Sequence, residues 1–200
     1  VDLVVVLTDS ASTRAAAETT RALLAPGGLV LTLQNGIGNG EILEAVIRDH
    51  PVVVGSTYNS AAYLGPGRVL HSNAGETVIG ALSGPLSPVH RHLAACLTAL
   101  GFPTEASPDV AGHVWLKFAL NCALNPVAAA TGLRPGEIYR IASARALTET
   151  ILEEIAAVIA ARAIRLPVAD LGAYVLDHAR TRYNRPSMLQ HVEAGLEPEL

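Results

Sequence analysis

The sequence predicts an α/β protein: a largely parallel sheet layered with helices through the first half, followed by an all-helical second half. Two unbroken apolar runs, residues 3–7 (Leu-Val-Val-Val-Leu) and 29–33 (Leu-Val-Leu-Thr-Leu), flank a helical stretch as the strands of a βαβ unit do. Between residues 57 and 86, Gly and Pro punctuate short segments in the manner of antiparallel hairpins. Beyond Pro108, helical periodicity dominates.

Residues 3–7 read as a fully buried parallel strand, because helices on both faces require apolar side chains on both. A helix is expected over 12–24, with Ser12 or Thr13 able to cap its start and Pro26-Gly27-Gly28 ending it. Strand 29–33 then runs into Gln34-Asn35-Gly36-Ile37-Gly38-Asn39-Gly40, a turn at the strand's carboxyl end, where open α/β sheets place ligands. Residues 41–49 read as helix and 52–56 (Val-Val-Val-Gly-Ser) as strand. Gly65-Pro66-Gly67 and Asn73-Ala-Gly75 divide the next stretch into Arg68-Val-Leu-His71 and Thr77-Val-Ile-Gly80, hairpin strands expected at the sheet's edge. A helix over 87–100 and a short strand at Thr104 and Glu105 complete a first domain, residues 1–107. The second domain, 108–200, carries helical runs near 109–131, 142–163 and 168–184.

Half of the 200 residues are hydrophobic, enough to bury a core. A net charge of −4, without a dense Lys/Arg cluster, argues against nucleic acid as a partner. No run of about 18 residues is free of Gly, Pro, Asn or charge, so no membrane span is expected. The N-terminus lacks the pattern of a signal peptide, and the expected location is cytoplasmic. Cys96 and Cys122 sit in apolar helical context and read as ordinary core thiols. The seven histidines show no carboxylate at ligand spacing, so no metal site is expected.

The most informative stretch is Trp115-Leu-Lys117-Phe-Ala-Leu-Asn121-Cys-Ala-Leu-Asn125-Pro126, where a lysine and two asparagines recur every four residues in an apolar helical run. Each such step turns an α-helix by about 400°, so the three polar side chains share one face. One ammonium and two amides among apolar neighbours suit a carbonyl-bearing or anionic small molecule. The competing reading is the solvated stripe of an amphipathic helix. Asn is a poor helix-interior residue, and an exposed face would be better filled by Glu, Gln or Lys.

Gly36-Ile-Gly38-Asn-Gly40-Glu41 imitates a dinucleotide fingerprint but has Glu where G-x-G-x-x-G needs its last Gly. It reads as a Gly-rich loop that lets backbone approach a ligand. No G-x-S-x-G elbow supports serine hydrolysis.

Taken in order, several landmarks resemble the ketopantoate reductase (2-dehydropantoate 2-reductase) family. They are the Gln34-Asn35-Gly36 turn; Gly55-Ser-Thr57; Pro66-Gly67-Arg-Val-Leu-His71 leading to Ile79-Gly80; Trp115-Leu-Lys117 with Asn121 and Asn125-Pro126; and Pro186-Ser187-Met188-Leu-Gln190 with Glu199 beyond it. The resemblance implies a partial Rossmann-type sheet, with residues 1–107 as the second half of an NADP-binding domain. Residues 108–200 would then be an all-α substrate and catalytic domain of the 6-phosphogluconate dehydrogenase C-terminal type. It also implies NADPH-dependent reduction of ketopantoate to pantoate, for pantothenate and coenzyme A synthesis.

Carried over by residue, the resemblance makes Lys117 the general acid. Glu199 binds the substrate's hydroxyl region and orients the lysine. Asn121, Asn125 and Ser187 hold the substrate's hydroxyl and carboxylate ends, and Asn35 with Gly36 meets the nicotinamide side. Ser187 could instead cap a helix after Pro186, and Glu199 could be a solvated charge. Departures from the family pattern are Asp9, where a lysine is usual, and His191, Leu196 and Pro198 near the end. The resemblance further implies a fragment without the N-terminal G-x-G-x-x-G half and the last helices, which alone binds cofactor poorly, is inactive, and exposes a sheet edge open to aggregation or a homodimer. Two alternatives stay open: a reductase of another 2-oxo acid, and a non-catalytic helical dimerisation module.

Overall fold

The computed structural model describes residues 1–198, which form two compact units divided between Val114 and Trp115. In the first unit the elements run β1 (Leu3–Val6), α1 (Thr13–Leu23), β2 (Leu29–Thr32), α2 (Asn39–Ile47), β3 (Val52–Thr57), β4 (Ser60–Gly65), β5 (Arg68–Asn73), β6 (Thr77–Ala81), α3 (Pro88–Ala99) and β7 (Thr104–Ala106). A five-stranded sheet has the order β1-β2-β3-β6-β7. Strands β1, β2 and β3 are parallel, β3 and β6 antiparallel, and β6 and β7 parallel.

Strand period explains the apolar runs, because alternate residues point to opposite faces. Val6, Val30, Val52 and Val54 pack with Ala17 of α1 and Leu43 and Ile47 of α2. On the other face Leu31, Val53 and Ile79 pack with Leu93 and Ala94 of α3. Fully burying each of the larger side chains contributes roughly 1.5–3 kcal/mol. Gly40 lets α2 approach, since a Cβ there would lie 2.6 Å from Val54 Cγ1.

Two expectations change here. The first strand is not fully buried: β1 lies at the end of the sheet with β2 as its one strand neighbour among the described residues. Leu3, Val5 and Leu7 are 37%, 43% and 63% exposed while Val6 is buried. The 77–80 segment is interior, because β7 pairs with it in parallel and takes the edge. Strands β4 and β5 form a separate two-stranded ribbon, anchored by Asn59, whose Nδ2 donates to Thr57 Oγ1 and the Gly75 carbonyl, both at 2.9 Å. Neither Ser12 nor Thr13 caps α1 with its side chain.

The second unit is helical: α4 (Val110–Thr131), whose first turn belongs to the first unit, α5 (Pro135–Arg140), α6 (Ala142–Ala161), α7 (Leu171–Arg180) and α8 (Ser187–Glu193). Leu120, Ala123, Leu124, Val127 and Ala128 of α4 follow helical spacing and join Ile138, Leu152, Val175, Ala179 and Leu189 in one core. Trp115 and Ala119 meet Ile159 in a smaller cluster. Asp170 caps α7, its Oδ1 accepting from the Ala173 N–H at 2.9 Å. No helix among the described residues is long and apolar enough to cross a membrane.

Candidate active site

Helix α4 presents the polar ladder. Lys117, Asn121 and Asn125 are each half-buried, whereas the neighbouring positions Leu116, Leu120 and Leu124 are buried and Pro126 is exposed. The ladder therefore sits at the margin of the core rather than in open water. Asn121 and Asn125 bond through their side chains to no other described residue, which leaves two amides free to meet a ligand. Pro126 lies inside α4 and lacks the N–H that would bond the Cys122 carbonyl, so that acceptor is released on the same stretch of helix. Burial pushes the Cys122 thiol above its ordinary value, which keeps it protonated and unsuited to nucleophilic chemistry.

Two other expected residues lie at the end of the chain. Ser187 is exposed and is the first residue of α8, with Pro186 as the N-cap, so it is not the cap that sequence alone allowed. Gly195, at φ +69°, reverses the chain after α8 while the Leu196 N–H bonds the His191 carbonyl at 2.9 Å, a Schellman turn. Arg185 pairs with Glu193 across the helix. Glu199 lies outside the described residues. His191, one turn beyond Ser187, has a buried Nδ1 with no hydrogen-bond partner among the described residues, a polar atom that sequence reasoning noted only as a departure from pattern.

In the first unit, the Gln34–Asn39 turn sits at the carboxyl ends of β1 and β2 and is tied to the β1–α1 connection. Gln34 Nε2 donates to the Thr8 carbonyl at 2.8 Å and to Thr13 Oγ1 at 2.9 Å. Thr13, fully buried, places its hydroxyl 2.8 Å from Asn39 Oδ1 and 2.9 Å from the Ser10 carbonyl. The Asn35 carbonyl accepts from Ser10 Oγ at 3.0 Å and Asn39 Nδ2 at 2.8 Å. None of these bonds uses the Asn35 side chain. Gly36 and Gly38 both take φ +87°, a conformation that favours glycine and explains their place in the turn.

As a cofactor site this turn fits one end of a nicotinamide dinucleotide better than the other. The side-chain amide of Asn35 and the half-buried backbone of Gly36 suit an uncharged carboxamide. Glu41 in the first turn of α2 disfavours a phosphate there.

Models of known families match both parts of the chain: ketopantoate reductase PanE/ApbA over residues 1–84, and ketopantoate reductase PanE/ApbA C terminal over residues 109–200. The 2-dehydropantoate 2-reductase of Halobacterium salinarum is 31% identical over 201 residues, covering 100% of this chain and 65% of that protein. The crystal structure of a PanE/ApbA family ketopantoate reductase from Ralstonia eutropha superimposes with a TM-score of 0.89 at 34% identity, over 99% of this chain and 64% of that one. A D-mandelate dehydrogenase with NADH and anilino(oxo)acetate shares the fold at TM-score 0.88 and 23% identity, over 100% of this chain and 66% of that one. The chain thus spans less than two thirds of the length of these ketopantoate reductase relatives.

Proposed function

The chain belongs to the ketopantoate reductase PanE/ApbA family, and from that premise we propose that it carries the substrate-reducing portion of an NADPH-dependent 2-dehydropantoate 2-reductase. Residues 1–107 form the second half of the cofactor domain and 108–200 the substrate domain. The observation that carries the reading is the half-buried Lys117-Asn121-Asn125 ladder with its two open amides.

NADPH, when bound, supplies a hydride to the C2 carbonyl carbon. As the C=O π bond breaks, negative charge collects on the oxygen, and Lys117 stabilises that charge with its ammonium. It then gives one N–H proton to the oxygen and recovers it from water afterwards. Asn121, Asn125 and Ser187 hold the hydroxyl and carboxylate of ketopantoate, so the carbonyl is presented in one orientation. Glu199 orients the lysine and meets the substrate hydroxyl. Asn35, over the backbone of Gly36, holds the nicotinamide carboxamide. The product pantoate feeds pantothenate and coenzyme A synthesis in the cytoplasm, and a homodimer is compatible with this role.

The test completes this chain with the segments that the longer relatives have beyond it and follows NADPH oxidation with ketopantoate. Lys117→Ala should lower kcat by about 10²–10⁴, the usual worth of a positioned proton donor. Turnover within twofold of the unsubstituted enzyme overturns the assignment. A preference for a different 2-oxo acid removes ketopantoate as the substrate while keeping the lysine. The chain by itself should show no turnover, and an ordinary enzymatic rate from it would refute the proposed need for the segments found in the longer relatives.

A further inference from the structure

We infer that His92 and Cys96, on the outer face of α3, form a two-point site for a thiophilic divalent cation of the zinc class. The two residues are one helical turn apart and both exposed, with Cys96 Sγ 3.6 Å from His92 Nε2. Zinc bonds of about 2.3 Å to sulfur and about 2.0 Å to imidazole nitrogen, at the tetrahedral angle, set two ligand atoms about 3.5 Å apart. The observed separation matches that edge without rearrangement. A soft thiolate beside an imidazole is also the donor pair that selects zinc over magnesium or calcium.

The surroundings suit a surface site. Leu93 and Ala94, on the opposite side of α3, are buried against the sheet and hold the helix in place. Ala95 and Ala99, beside the pair on its exposed face, are small and leave the remaining coordination positions open to water. Cys122, the other thiol, is half-buried on a different helix and has no such partner among the described residues. His90, two residues away, is engaged in capping α3 through Ser87 and does not compete. On binding, the Sγ–H bond breaks, its proton leaves to water and an Sγ–metal bond forms with no change in oxidation state.

Zinc-dependent protection of thiols from iodoacetamide, mapped by mass spectrometry on the purified chain, tests the site. Zinc should slow alkylation of Cys96 and leave that of Cys122 unchanged. His92→Ala, which alters only an exposed side chain, should weaken the protection at least about tenfold, since even outer-shell partners of metal ligands are worth that much. Absence of protection in the unsubstituted chain, or protection undiminished in His92→Ala, overturns the inference.

Discussion

The turn at Gln34–Asn39 and the ladder on α4 are both rich in amides, yet they use them in opposite ways. In the turn, Gln34, Thr13, Thr8, Asn39 and Ser10 satisfy one another, and the network fixes the backbone at the end of β2. On α4, the side chains of Asn121 and Asn125 hydrogen-bond to no described residue, and Pro126 releases a backbone carbonyl as well. Polar groups that close on themselves serve the fold. Polar groups left open in a half-buried place weaken the helix that carries them.

The comparison can be broken most easily at Pro126. Pro126→Ala restores the missing N–H and should stabilise α4 by up to about 3 kcal/mol, read as a shift in the denaturant midpoint. An unchanged or lowered midpoint would mean that the proline is accommodated without cost. Thr13→Val tests the other side: removing a fully buried hydroxyl strands Asn39 Oδ1, leaves Gln34 Nε2 bonded to Thr8 alone, and should cost about 1–3 kcal/mol in the same measurement. Asn121→Ala sharpens the contrast, because it removes no internal bond and gains helix propensity. Its stability should rise by at most about 0.7 kcal/mol while KM for the substrate of the completed enzyme rises.

The smallest effect concerns pH. Burial, and then the charge of Arg182, hold the imidazole of His178 on α7 below its ordinary 6.5, with Asp177 opposing. The unfolded chain then binds the proton more readily than the folded one, so stability falls as pH drops below about 6.5. His178→Gln should flatten the thermal midpoint across that range.

Much of this was legible in the sequence. The apolar runs located β1, β2 and β3, and the spacing of Lys117, Asn121 and Asn125 located one face of α4. The short helix α5 was missed because Pro135-Gly136 resembles a loop. In fact Pro135 occupies the helix's first position, where no N–H is needed, and Glu137 Oε2 accepts from the Arg134 N–H at 2.7 Å. The exposure of β1 was not legible either, since an apolar strand reads the same whether its faces are covered or not. Cys96 looked like a core thiol because its neighbours are apolar. The helix phase that buries Leu93 and Ala94 turns Cys96 outward, toward His92 rather than His90.

The uncovered side chains of Leu3, Val5 and Leu7 stand beside a row of backbone groups that no described strand occupies. That margin carries no lysine, proline or bulge to repel an approaching copy. A second copy pairing along this margin would set a solubility limit, and a charge introduced by Val5→Lys should raise the concentration at which the chain precipitates without disturbing the amides of α4; an unchanged limit would mean that the margin is not where copies meet.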